Sequence, residues 1–105
     1  MQFLLEVSHG EWLTIKRRRE GLDQLEMAGK MELTRHQYQA KEANVHGKLK
    51  RRLKGHEAAF LLRRRAKKPQ SAVAKEIGVS RLWVNRMEMG LEDAGRLLDF
   101  WGLCR

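Results

Sequence analysis

The stretch Pro69-Gln-Ser-Ala-Val-Ala-Lys-Glu-Ile-Gly-Val-Ser-Arg-Leu-Trp-Val-Asn-Arg-Met-Glu-Met-Gly90 decides how the chain is read. Proline is tolerated where a helix begins, so Pro69 opens one. Gln70 to Ile77 then carries Val73, Ala74 and Ile77 at a spacing that makes one buried stripe. Gly78 suits the left-handed backbone that ends a helix, and Ser80 is a good N-cap for the next. That helix spans Arg81 to Met89 and closes at Gly90. Val79, Val84 and Met87 anchor it inward. Arg81, Leu82, Asn85 and Arg86 point out along one face. Two short helices around a tight turn, the second opened by a capped polar stretch, form a helix-turn-helix.

Upstream, Glu57 to Lys67 lacks glycine and proline and places Ala58, Ala59, Leu61 and Leu62 on one side, which predicts a helix. Downstream, Leu91 to Trp101 predicts a final helix with Leu91, Ala94, Leu97, Leu98 and Trp101 as its apolar face.

The same unit recurs earlier in the chain. Sliding the sequence on itself by 46 residues brings Gln24 onto Gln70. In that register Glu11 meets Glu57, Arg17 to Arg19 meet Arg63 to Arg65, Ala28 meets Ala74, Arg35 meets Arg81 and Glu42 meets Glu88. Conservative pairs fill the intervals: Ile15 with Leu61, Met31 with Ile77, Leu33 with Val79, Thr34 with Ser80, Tyr38 with Val84, Gln39 with Asn85. Basic runs alone match by chance, but they do not also place Gln, Ala and Glu in one register. The expectation is two tandem units, residues 8–53 and 54–105, all-α, with about eight short helices. In the first unit Glu32 replaces the turn glycine, Tyr38 is bulky for a buried site, and Lys41 replaces an apolar residue.

Residues 69–90 resemble the helix-turn-helix of the Xre/Cro-like family of phage and plasmid repressors, through Gln70, Ala74, Gly78-Val79-Ser80, Val84, and Glu88 followed by Gly90. Residues 21–42 are similar to the same pattern in Gly21, Leu22, Gln24, Ala28, Leu33, Thr34, Arg35 and Glu42. The resemblance implies a lambda-repressor-like helical bundle. It implies that Gln70 bonds a DNA phosphate and that Arg81, Leu82 and Asn85 face base edges. A helix of this shape fits the major groove, about 12 Å wide, where Arg grips guanine and Asn grips adenine through two bonds. The candidate DNA-binding residues are therefore Gln70, Ser80, Arg81, Leu82, Trp83, Asn85 and Arg86. In the first unit they are Gln24, Arg35, His36, Gln37 and Gln39. Trp83 reads either as core or as a surface resting on the sugar-phosphate backbone.

Charge agrees with such a partner. Across 105 residues, 22 Lys+Arg stand against 13 Asp+Glu, a formal net charge of +9. The positive charge comes in runs: Lys16 to Arg19, Lys48 to Arg52, and Arg63 to Lys68. Such runs draw phosphate nonspecifically.

Other function classes find little support. His9, His36, His46 and His56 form no close pair at ligand spacing, so no metal or cofactor is expected. No Ser-His-Asp arrangement, phosphate loop or carboxylate cluster suggests an enzyme. Cys104, the lone cysteine, reads as incidental. The apolar start stops at Glu6, too short for a leader or a span, so a cytoplasmic location is expected. The partners expected are operator duplex DNA and a second copy of the chain, the apolar end around Leu97, Leu98, Phe100 and Trp101 serving either the core or a dimer interface. The alternatives are an antitoxin-like module of the same fold that binds a protein, and a nonspecific nucleic-acid-binding basic protein.

Overall fold

The computed structural model describes residues 2–103. Cys104 lies outside them. From the N-terminus the chain runs through β1 (Gln2–Val7), α1 (His9–Arg19), α2 (Gln24–Lys30), α3 (Arg35–Glu42), β2 (Leu49–Lys54), α4 (Gly55–Arg65), α5 (Gln70–Ile77), α6 (Arg81–Glu88) and α7 (Gly95–Phe100). It divides into two compact units. One holds residues 6–51; the other holds residues 52–103 together with residues 2–5.

Local chemistry sets the helix starts. Ser8, Asp23 and Thr34 each accept from the backbone N–H three residues on, and Glu11, Glu26 and Gln37 return the bond to the cap's own N–H. Ser80 accepts from the N–H of Trp83 at 3.1 Å. An offset of 46 residues carries α1 onto α4 and α3 onto α6 from end to end.

In the N-terminal unit, Met27, Ala28 and Tyr38 form the core, with Leu22 and Leu33 against it. α1 comes close to the end of α3 because residue 10 is glycine. A Cβ there would sit 2.1 Å from the Glu42 carbonyl oxygen. In the C-terminal unit, Ala59, Val73, Ala74, Val84, Met87 and Leu97 form the core, flanked by Ile77, Val79, Phe100 and Trp101. The matching approach there is made by the His56 ring against Gly90, where a Cβ would lie 2.9 Å from the imidazole.

Four expectations need correction or refinement. The all-α expectation holds broadly, the chain being mostly helical, but β1 and β2 add a two-stranded sheet. Each strand is six residues long, and β2 is Leu-Lys-Arg-Arg-Leu-Lys, in which only Leu53 is buried. Its partner lies more than forty residues away in sequence, so no local pattern announces the pairing. Seven helices rather than about eight are present among the described residues. The segment that α7 would match in the first unit, residues 49–54, is β2.

The final helix is Gly95–Phe100, not Leu91–Trp101. Gly90 is left-handed at φ 78°, and the Asp93 carboxylate accepts from the Gly95 N–H at 3.2 Å, a local bond that favours a turn over residues 91–94. Leu91 is accordingly 58% exposed. α4 begins at Gly55, two residues before Glu57, because the Glu57 carboxylate accepts from the Lys54 N–H at 2.8 Å and fixes the start there. It stops at Arg65 because Lys67 is left-handed at φ 56°.

Each unit needs a left-handed residue at two matched positions. Gly21 (φ 71°) and Glu32 (φ 59°) supply them in the first unit, Lys67 (φ 56°) and Gly78 (φ 76°) in the second. Each unit thus has glycine at one site and a strained side chain at the other. Glu32→Gly and Lys67→Gly should each raise unfolding stability by about 1 kcal/mol in denaturant titration, while Gly78→Ala should lower it by a similar amount.

Candidate nucleic-acid interface

The outward face of α6 is set by what α6 buries. Val84, Met87 and Glu88 point inward. Arg81 and Leu82 stand in solvent, Leu82 with 66% of its surface exposed, and Trp83 is 41% exposed. The Arg81 side chain makes no ion pair among the described residues. Trp83 belongs to the edge of an open cleft shared with Val79, Ser80, Met87, Asp93 and Arg96. Asn85 is half-buried. Its Oδ1 accepts from Gln70 Nε2 at 3.1 Å, and its Nδ2 donates to Met89 Sδ at 3.4 Å. Arg86 pairs with Glu92 at 3.0 Å, so that guanidinium is already partly occupied. The Ser80 oxygen is taken by its cap bond.

Beneath this face lies a buried ion pair. Arg63 Nε donates to Glu88 Oε2 at 2.7 Å, and Arg63 Nη2 donates to Oε1 at 3.0 Å. The side chains are 14% and 1% exposed. A carboxylate so desolvated is tolerated only when fully paired. The pairing is completed by Gln70, whose Nε2 also donates to Glu88 Oε1 at 3.0 Å. Arg63 Nη1 caps the Lys68 carbonyl at 3.1 Å. One chain of bonds therefore runs from α4 through the end of α6 to the first residue of α5 and out to Asn85.

The N-terminal unit repeats this arrangement. Arg17 Nε donates to Glu42 Oε2 at 2.7 Å and Nη2 to Oε1 at 3.5 Å. Arg17 Nη1 donates to the Leu22 carbonyl at 3.0 Å. Gln24 Nε2 donates to Glu42 Oε1 at 3.0 Å, and Gln39 Nε2 donates to Gln24 Oε1 at 3.0 Å. Burial works to raise the Glu42 carboxyl, but the bonds from Arg17 and Gln24 outweigh it and hold the group below its ordinary value. Tyr38 is buried where the second unit has Val84. Burial, then the Glu42 carboxylate beside its hydroxyl, pushes the phenol well above its ordinary value. Arg35, His36 and Gln37 are exposed, although Gln37 Oε1 accepts from the Thr34 N–H at 2.9 Å.

Of the residues expected to touch nucleic acid, the structure joins Gln70 with Asn85 and Gln24 with Gln39. It leaves Arg81, Leu82, Trp83, Arg35 and His36 outward. The residues missed are the anchors: Arg17, Glu42, Arg63 and Glu88. Their signal was present, since all four are identical matches in the 46-residue register. In the sequence alone Arg17 and Arg63 stand as members of basic runs that draw phosphate. Other run members are occupied too: the guanidinium of Arg19 lies 5.1 Å, and that of Arg51 4.6 Å, from the Trp12 ring centroid.

Among the described residues, no group of three metal-ligating side chains is gathered, and no helix is long and apolar enough to cross a membrane. Compared with known proteins, the chain matches no family model, no curated protein and no solved structure.

Two outcomes follow from the buried pairs. Arg63→Met should cost about 3–5 kcal/mol by stranding Glu88, and adding Glu88→Leu should recover much of it, measured by denaturant unfolding. The lowered Glu42 value means its stabilisation is complete above its ordinary 4.5 and is lost as pH falls through the folded-state value. The stability gap between wild type and Glu42→Gln should therefore narrow steadily as pH is taken below 4.5.

Proposed function

We propose that the chain is a sequence-specific DNA-binding transcriptional regulator of the Xre/Cro-like helix-turn-helix type, a repressor or autoregulator. In this reading α5 and α6 form the helix-turn-helix, and residues 80–89 enter the major groove of a duplex operator. The observation that carries the reading is the outer face of α6: an exposed Arg81 with no ion pair among the described residues, one turn from an Asn85 that Gln70 holds in place. Arg81 suits guanine and Asn85 adenine.

Supporting features lie around it. Gly78 in the left-handed conformation and the Ser80 cap set the turn that presents α6. The net charge of +9 supplies general attraction to phosphate. Gln70 opens α5 with its Nε2 already donated to Asn85 and Glu88, so in this reading a phosphate at that helix start is met by backbone N–H groups.

A second reading has its own observation. Leu82, Trp83, Met89 and Leu91 are 66%, 41%, 54% and 58% exposed on one short stretch, the kind of apolar surface that a protein partner covers, as in an antitoxin-like module.

Footprinting on duplex from upstream of the protein's own gene tests the regulator reading. A discrete protected site is expected, with Arg81→Ala weakening binding by about 1–3 kcal/mol and relaxing the choice of base at one position. Protection that is indifferent to sequence and collapses equally with salt for wild type and variant would reject the regulator reading.

A further inference from the structure

We infer that α3 is a second DNA-reading helix with a base preference of its own, so that one chain recognises a bipartite element whose two blocks differ in sequence. This rests on the reading of α6 as a DNA-reading helix.

The argument is a comparison of the two units, each taken by itself. Their cores have been rebuilt: Tyr38 stands for Val84, and an exposed Lys41 stands for the buried Met87. Their means of approaching the first helix also differ, Gly10 in one and His56 against Gly90 in the other. The polar framework beneath α6 also holds the helices together, and α3 is mounted on the same frame with one bond reversed, Gln39 donating to Gln24 where Asn85 accepts from Gln70. The Arg17–Glu42 bond has the same 2.7 Å length as Arg63–Glu88, and the Gln24–Glu42 bond the same 3.0 Å as Gln70–Glu88. Thr34 caps α3 with φ −73° and ψ 161°, as Ser80 caps α6 with φ −76° and ψ 157°. The turn before it is kept even at the cost of a left-handed glutamate, Glu32 at φ 59°.

The outward residues on this common frame differ in a patterned way. Arg35 matches Arg81, and neither side chain makes an ion pair among the described residues. At the next position His36, with ring nitrogens that donate and accept, replaces Leu82, which offers only an apolar contact such as a thymine methyl takes. Gln39 replaces Asn85, each held by the glutamine at the start of the preceding helix. Ala40 replaces Arg86. The frame predicts a shared guanine contact in the two blocks, from Arg35 and Arg81, and different bases beside it. A homodimer on a palindrome reads one sequence twice. This chain carries two unlike readers, and α7, the natural place for a dimer contact, turns Leu97 and Leu98 into its own unit's core, 0% and 5% exposed.

The test is selection of bound duplexes from a randomised pool with the full chain, followed by footprinting of the selected site. Wild type, Arg81→Ala, the double variant Arg35→Ala/His36→Ala, and His36→Leu are compared, with circular dichroism as a check of folding. The substituted side chains are exposed, so the helical signal should not change. The expected result is two dissimilar blocks in the wild-type site. The Arg35/His36 variant loses enrichment of one block and Arg81→Ala of the other, each with about a 5- to 150-fold loss of affinity for the full site. His36→Leu shifts the preferred base at one position of the first block only. A single block untouched by Arg35→Ala/His36→Ala overturns the inference while leaving α6 as a reader. So does a palindrome whose two halves both depend on Arg81. No selected block for any protein overturns the regulator reading along with it.

Discussion

A carboxylate buried to within a few per cent of full enclosure governs each half of this chain. Glu88 and Glu42 cannot be placed where they are without an arginine aimed at both oxygens, because an unpaired charge in that environment costs several kcal/mol. That requirement fixes the last turn of the first helix of each unit against the last turn of the third. It also leaves one carboxylate lone pair for the glutamine that opens the middle helix. Replacement by well-packed apolar groups is often neutral in stability, so the pair's contribution is best seen as geometric. It ties three helices to one point and passes that constraint outward, through Gln70 or Gln24, to the side chain at position 85 or 39.

The two units show how much variation such a frame tolerates. The first has a smaller apolar core, a buried phenol beside Glu42, and a strained glutamate at its turn. The second has a further helix, α7, whose Leu97 packs into the core with Ala59 and Val73. The strain is distributed evenly, one non-glycine residue in the left-handed region in each unit, at opposite ends of the middle helix. The apolar packing changes, and the polar framework differs only in the direction of one bond.

The positive charge of the chain is less available than its total suggests. Arg17 and Arg63 are consumed internally, Arg19 and Arg51 lie over Trp12, and Arg86 is paired with Glu92. Lys30 pairs with Glu20 and Lys68 with Glu76 on the surface, where such pairs contribute little. Basic residues in the last turns of α1 and α4 also complement the helix dipole. Arg35 and Arg81 stay outward on the third helix of each unit with no ion pair among the described residues, alongside exposed lysines such as Lys41 and Lys75.

Much of the second unit was legible in the residues because its signals are local. Glycine at a left-handed turn, serine at a cap and apolar residues at helical spacing act within a few positions, and α5 falls on Gln70–Ile77 as its sequence predicts. The 46-residue register likewise made the repeated arginines, glutamines and glutamates visible, and it paired Glu32 with a left-handed glycine. What sequence left undecided was how those matched residues are used. Arg17 and Arg63 look like any other members of a basic run until the fold carries them to carboxylates 25 residues away, because charge sign is a property of the residue but burial is a property of the assembled helices. The same holds for β1 and β2, whose pairing is distant, and for Leu91, whose apolar character promised a longer final helix that the turn at Asp93 prevents. The sequence by itself determined the caps, the turns and the repeat. Only the tertiary structure decided which cations are spent on holding the helices together and which are left facing out, since that depends on distances between elements that no local pattern encodes.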